Sequence, residues 1–238
     1  MYRGAKSSRA WLNRHVNDQY VRQAREQGFQ SRAAFKLKEL QSRHRLVRPG
    51  MIVVECGAAP GGWTQVACSA AHSPRKGLVV AVDLLPLDPP VPDALFIQQD
   101  FTAPETQALI RAALERFHLR KGGLPIVAGG AFRPVDVVLS DMAPSFSGLK
   151  AIDRLRTVEL AESALGFALT MLRPGGHFAC KILQGPEGNE LRARMKTIFE
   201  QVVYEKPKSS RSESAEGFLV GKGFRLPGDP PSDPDVEK

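Results

Sequence analysis

Several residues in this chain have types and spacings suited to chemistry on a ligand. Residues 55–63 read Glu-Cys-Gly-Ala-Ala-Pro-Gly-Gly-Trp, after an apolar run at 51–54 and before a helix-prone stretch at 64–71. Strand, glycine-rich turn and helix in that order hold a nucleotide-like ligand at the end of a parallel sheet. Gly57, Gly61 and Gly62 lack a Cβ, so the backbone can turn sharply and approach a ligand closely. Asp83 closes the apolar run 78–82, the place where a ribose diol is usually held. Asp100, in Gln-Gln-Asp-Phe, ends another apolar run, and Asp141 leaves a third at 135–140, with Pro144 stiffening the exit. All three acids are expected on one rim of a sheet. Lys181 lies inside Phe-Ala-Cys-Lys-Ile. Lysine is almost never fully buried unless paired; beside a strand-end carboxylate in a cleft it can do proton work. The plainer alternatives are a glycine turn, helix-capping aspartates and a lysine snorkelling from a strand end.

The elements that must position these residues follow from the apolar pattern. Strands are expected at 51–55, 78–82, 94–98, 135–140, 177–182, 201–204 and 217–221, and helices at 64–71, 105–117, 154–172 and 187–199. Strands alternating with helices predict an α/β fold, a mostly parallel sheet with helices on both faces. The last two strands have no helix between them, which predicts an antiparallel hairpin at one edge. Ahead of the sheet, residues 16–26 have weak helical periodicity. Ser31 is the expected N-cap of a helix over 32–41, with Ala34, Leu37 and Leu40 on one apolar face and Lys36 off it, free to reach outward. Residues 121–134 read as a glycine-rich loop, and 225–238, with four prolines and four acids, as a disordered tail. The expected organisation is a basic helical extension over 1–48, a catalytic domain over 49–224 and that tail.

Composition narrows the function classes. The chain has 238 residues, enough for one domain with a sizeable core, and no apolar run of membrane-spanning length. Three cysteines without CxxC spacing and five scattered histidines predict neither a disulfide framework nor a metal site, and suit a reducing compartment. The net charge is +8, and residues 1–48 hold twelve Lys/Arg against three Asp/Glu, while the remainder is nearly balanced at 21 to 22. Such a concentrated basic segment is the footprint of a nucleic-acid partner. The acid-free start, residues 1–15, also has the character of an organelle presequence. It leans toward a mitochondrial matrix location over a bacterial cytoplasm.

Taken together, the motifs resemble a family. Ser-Arg-Ala-Ala-Phe-Lys-Leu at 31–37, the loop 57–63, Val-Asp-Leu-Leu-Pro at 82–86, Asp100-Phe101, Ser-Asp-Met-Ala-Pro at 140–144, Cys180-Lys181 and Lys-Ser-Ser-Arg-Ser-Glu-Ser-Ala-Glu at 208–216 occur in this order. Over about residues 7–224 the chain resembles the FtsJ-type RNA 2′-O-ribose methyltransferases. The resemblance implies a class I S-adenosylmethionine-dependent methyltransferase fold, Rossmann-like, with a seven-stranded sheet. It implies a catalytic tetrad of Lys36, Asp141, Lys181 and Glu216, with Lys181 as general base. It implies that the loop with Gly57, Pro60, Gly61 and Trp63 holds the methionine end of S-adenosyl-L-methionine. Asp83 would then take the ribose, Asp100 the adenine amino group, and Asp141 would help hold the methyl donor. Arg22, Arg25, Arg32 and Lys38 would grip RNA. The motifs at 84–88 and 140–144 favour the branch that methylates a uridine of large-subunit ribosomal RNA, free or in the pre-ribosomal large subunit. A transfer-RNA substrate and a non-catalytic ribosome-assembly role are the alternatives. A nicotinamide oxidoreductase is disfavoured, because the first loop lacks GxGxxG spacing.

Overall fold

The computed structural model describes residues 18–72, 76–123 and 132–226. Its centre is a seven-stranded sheet: β1 (Ile52–Cys56), β2 (Leu78–Asp83), β3 (Ala94–Gln98), β4 (Val135–Ser140), β5 (Leu172–Leu183), β6 (Phe199–Glu205) and β7 (Glu216–Phe224). The spatial order is β3-β2-β1-β4-β5-β7-β6. The first five strands are parallel to one another, and β7 is inserted antiparallel between β5 and β6. This is the expected class I methyltransferase arrangement, including the antiparallel hairpin at one edge.

Alternation along each strand sorts side chains to two faces. Val54, Val80, Val138, Phe178 and Leu219 point to one face, where they meet α4 (Pro104–Arg120), α5 (Lys150–Met171) and α6 (Pro186–Lys196). Val53, Val79, Val137, Ala179 and Val220 point to the other, where they meet α2 (Ala33–His44) and α3 (Gly62–His72). α1 (Gln19–Glu26) packs on α2, and Asp18 caps it by accepting from the Tyr20 N–H at 3.0 Å.

Three expectations need correction. Ser31 does not cap α2: Arg32 occupies the cap position without a side-chain capping bond, and the Ser31 hydroxyl has no hydrogen-bond partner among the described residues. It instead faces Gly62, where an added Cβ would lie 2.3 Å from its oxygen. The basic segment is not an appendage over its described part, because Ala34, Leu37, Leu40, Leu46 and Val47 belong to the same core as β1, β2 and β4. β5 starts at Leu172 rather than His177: Arg-Pro-Gly-Gly suggests a turn, yet Val135 pairs with Leu172 and the register then shifts before Val137 pairs with His177. The acid-free start lies outside the described residues, as do the middle of the loop 121–134 and the tail from residue 227.

Candidate active site

β1, β2 and β4 end at or beside paired positions, Cys56 opposite Val82 and Ser140, and the residues there form a rim. Gly57 follows β1 with φ +79°. A Cβ there would stand 2.7 Å from the Met142 nitrogen, so only glycine lets the β1 turn pass beside the chain leaving β4. The Asp141 N–H donates to the Cys56 carbonyl at 3.1 Å, locking the two exits together. Asp83, at the end of β2, accepts from the Ala59 N–H and the Leu85 N–H, each at 2.8 Å. Its carboxylate is thereby held facing the gap between the strands. Asp100 accepts from the Thr102 N–H and hydroxyl on Oδ1, at 2.9 and 2.7 Å, leaving Oδ2 without a partner among the described residues.

These groups surround a cavity of about 370 Å³, lined by Gly57, Asp83, Asp100, Asp141, Met142 and Lys181, with Leu84, Leu85 and Gln99 also on its wall. Its volume is within the range of small-molecule sites. Of the loop residues expected to hold the cofactor, Gly57 is on the cavity wall and Pro60, Gly61 and Trp63 are not. Gly61, at φ +123°, is pressed so closely against Gln30 that a Cβ there would overlap the Gln30 side chain. Trp63 is buried in the core: its indole N–H donates to the Ala33 carbonyl at 2.8 Å and its ring lies 5.4 Å from Phe218. Trp63 joins the loop to α2 and Gly61 to Gln30 just before it, which is a structural part rather than a place on the cavity wall.

One lysine–carboxylate pair, Lys181 with Asp141, is on the cavity wall, and a second, Lys36 with Glu216, adjoins it. Lys181 Nζ lies 2.9 Å from Asp141 Oδ1 and donates a hydrogen bond to the Asp141 carbonyl at 2.6 Å. The carboxylate contact is ionic rather than a well-aligned hydrogen bond, since Oδ1 has no hydrogen-bond partner. Lys36 Nζ lies 2.6 Å from Glu216 Oε1, which also accepts from the Ser210 hydroxyl at 2.9 Å. With 12% of its side chain exposed, Lys36 is turned inward, not outward as its place off the apolar stripe suggests. Burial alone would raise the Glu216 carboxyl, but the charges of Lys36 and Lys181 and the bonds from Lys36 and Ser210 outweigh it and hold the group below the usual carboxylate range. Glu216 thus feels both lysines. The antiparallel register explains this: Lys181 pairs with Phe218 and Leu183 with Glu216, so β5 and β7 bring Lys181 and Glu216 close together.

A set of polar ties between the N-terminal helices and the segment 205–216 holds Lys36 against Glu216. Glu39 accepts from the Lys208 and Ser209 N–H groups at 2.7 and 2.8 Å. Glu205 pairs with Arg43 and His44, and Asp18 with Arg32 and Arg211. Arg32, expected to face RNA, is committed instead to Asp18 and the Ser209 carbonyl. Arg22, Arg25 and Lys38 are exposed, with Lys38 Nζ 5.1 Å from the Phe29 ring centre. Sequence reasoning passed over Glu39, Asp18 and Ser210, whose partners lie some 170 to 190 residues away or in an apparently plain polar loop. It also gave no role to Glu55, although Glu55 opens the glycine motif.

Glu55 is fully buried, and neither carboxyl oxygen has a hydrogen-bond partner of normal geometry among the described residues. Burial pushes its carboxyl up to about 8; nearby Thr64 pulls the other way, while Asp141 and Asp83 add to the rise. In the folded protein it therefore keeps a proton that it loses near pH 4.5 when unfolded. The folded state binds more protons between those values, so this group's contribution to stability falls as pH rises from about 4.5 through about 8. Glu55→Gln keeps the shape and removes the titration. The variant is expected to melt higher than the wild type above pH 8 and to show a flatter rise and fall of melting temperature with pH, which thermal unfolding across pH 5–9 measures.

The three cysteines are free and buried. No described helix is long and apolar enough to cross a membrane. Residues 29–224 match the model of the FtsJ-like methyltransferases. A ribosomal RNA large subunit methyltransferase E from Chromobacterium violaceum is 43% identical over 221 residues, covering 93% of this chain and 98% of that protein. One of the same name from Thiobacillus denitrificans is 44% identical over 217 residues, 91% of this chain and 90% of that protein. Among solved structures, a protein described as a ribosomal RNA methyltransferase from Plasmodium falciparum superposes with a TM-score of 0.68 at 28% identity, covering 82% of this chain and 98% of that one. These two curated relatives are bacterial, so the leaning toward a mitochondrion finds no support in them. With the family's model matching most of the chain and relatives above 40% identity along nearly its whole length, this protein is a methyltransferase of the FtsJ-like family.

Proposed function

We propose that the protein moves a methyl group from S-adenosyl-L-methionine to the 2′-hydroxyl of a uridine in large-subunit ribosomal RNA. The observation that carries this reading is that the Lys36–Glu216 pair adjoins Asp141–Lys181, which lies on the wall of a cavity shared with Asp83 and Asp100. The cavity suits the methyl donor: the oriented Asp83 carboxylate can accept from a ribose diol, and Asp100 Oδ2 from an amino group. The names of the bacterial relatives support ribosomal RNA as the acceptor.

S-adenosylmethionine supplies an electrophilic methyl on a sulfonium, whose departure needs no acid. What the protein must supply is in-line placement of the ribose hydroxyl and removal of its proton. Lys181 takes that proton on Nζ as the new O–CH₃ bond forms and the S–CH₃ bond breaks. For this its Nζ must offer a lone pair to the hydroxyl proton. Asp141 orients it from 2.9 Å. Lys36 and Glu216, paired with each other, position the ribose and its phosphate. Placement contributes much of the acceleration.

Arg22, Arg25 and Lys38 face solvent and are assigned to RNA backbone contacts, whereas Arg32 holds the fold. Lys38→Ala is expected to lower the salt dependence of RNA binding by about one ion with little change in melting temperature. Arg32→Ala is expected to lower the melting temperature and leave the salt slope near wild type. Binding titrations over a salt series and thermal melts separate the two.

The test of the whole reading is transfer of labelled methyl from S-adenosylmethionine to large-subunit ribosomal RNA or particles and, in parallel, to transfer RNA. The product is mapped by its resistance to alkali. One alkali-resistant uridine in ribosomal RNA, lost in Asp141→Ala, is expected. Label only in transfer RNA would keep the chemistry and change the substrate. Cofactor binding without transfer to any RNA would replace catalysis with an assembly role.

A further inference from the structure

The candidate active site uses the carboxyl ends of the strands. A second concavity, about 680 Å³, lies at their amino ends. Its wall includes Ile52, the first residue of β1, and Asp136, the second of β4. A strand of this length separates the two openings by about 15–20 Å, so one ligand in the first cavity cannot also fill the second.

The lining is cationic. Arg48, Lys76, Lys121 and Arg173 contribute positive charge, and Asp136 is the one carboxylate among the described lining residues. Asp136 is already engaged: it accepts from the Ile52 N–H at 2.7 Å and pairs with Arg173 at 2.5 Å. Arg48, Lys76 and Lys121 are exposed and have no carboxylate partner among the described residues. The neighbouring segments 73–75 and 124–131 contain no acid in sequence. Lys121 sits 5.5 Å from the Phe117 ring centre, leaving its ammonium at the surface. The local field is visible in His177 on the adjoining strand. Burial first, then the positive charges of Lys222, Arg48 and Arg173, push its imidazole down to about 4 despite a bond that it donates to the Gly176 backbone and that favours the charged form.

A broad, open, unneutralised cationic cleft is complementary to phosphodiester backbone, which Arg and Lys bind by charge-assisted hydrogen bonds and counterion release. It lies too far from the first cavity to contact the nucleotide being modified. We propose that this cleft binds the phosphate backbone of a second RNA segment, distant from the target nucleotide, so that the enzyme holds a folded RNA at two places. The proposal rests on RNA being the substrate.

The test uses the full chain carrying Lys76→Glu with Lys121→Glu, and the milder Lys76→Gln with Lys121→Gln in case the reversal disturbs folding. Binding to full-length large-subunit ribosomal RNA and to a short oligonucleotide around the modified uridine is measured over a salt series. Methyl transfer at saturating RNA is followed alongside. For the reversed variant, about tenfold or greater loss of affinity for the long RNA is expected, with a salt slope shallower by about one to two ions. Affinity for the oligonucleotide and the rate at saturating RNA should be unchanged. The neutral variant should show a smaller loss of the same kind. Long-RNA affinity and slope equal to wild type in folded variants would overturn the proposal and point to a different acidic occupant. Methyl transfer by the wild type is the separate control: if it is absent while the variants still lose long-RNA affinity, the catalytic reading fails and the cleft stands.

Discussion

Replacing Lys181 by alanine is expected to slow single-turnover methyl transfer by about 10²–10⁴-fold at saturating RNA and cofactor, the span that a general base contributes. Cofactor affinity should change little, because Asp83, Asp100 and Gly57 remain in place on the cavity wall. Lys181→Arg should not rescue the rate. A guanidinium stays protonated and cannot accept a proton, and it is too broad for a position where the present side chain is 9% exposed between Asp141 and the β5–β7 ladder. The measurement is rapid-quench transfer of labelled methyl, with cofactor binding followed separately. Near-normal rates in Lys181→Ala would remove the base assignment and leave placement as the main source of catalysis. The companion variant Asp141→Ala should be more severe in a different way, since it takes a group from the cavity wall and leaves the Lys181 ammonium without its carboxylate. It is therefore expected to weaken cofactor binding as well as turnover, and the two variants can be told apart by that difference.

Gly57→Ala is the second large effect. The φ of +79° already disfavours an L side chain, at a cost of about 1–2 kcal/mol. The added Cβ would also stand 2.7 and 2.8 Å from the Met142 nitrogen and Cα, which are backbone atoms and cannot swing aside. The chain leaving β4 must then shift, carrying Asp141 with it. A total loss of roughly 2–4 kcal/mol in stability is expected, in the range of strained backbone and overpacking combined. Cofactor affinity and turnover should fall together, because the same displacement opens the cavity wall and separates Asp141 from Lys181. Denaturant unfolding and equilibrium binding of S-adenosylmethionine check both parts. A variant that folds at wild-type stability and binds cofactor normally would show that the β1 turn and the β4 exit can move apart without consequence.

The contrast between these variants and Arg32→Ala shows how a positive charge in the basic segment has to be read. Twelve Lys/Arg precede the first strand, and composition treats them alike. In the fold they do different things. Lys36 is turned in to Glu216, Arg32 is held by Asp18, Arg43 pairs with Glu205, and Arg22, Arg25 and Lys38 face solvent. Of these six, only the last three are available to the RNA backbone without breaking a contact of the fold.

Much of the molecule is legible in its sequence. The apolar runs that became β3 and β4 are bounded at the same residues in both descriptions, and each helix of the sheet domain lies within a few residues of its expected place. Buried parallel strands are continuous apolar stretches, and their ends are marked by glycine, aspartate and proline, so local pattern suffices. For the same reason Asp83, Asp100 and Asp141 could be placed on one rim: parallel strands that end in register bring their following residues together. What only the tertiary structure decided is which side chains complete the site and which merely hold it. Lys36 and Glu216 are 180 positions apart and meet because β7 is inserted between β5 and β6 while α2 packs over that edge. Trp63 and Gly61 sit in the same motif as Gly57 yet face α2 and Gln30 just before it rather than the cavity. Local sequence sets the direction of a strand and the sharpness of a turn. The facing of a side chain at the boundary between two packed layers depends on the residue opposite it, and that residue is chosen by topology.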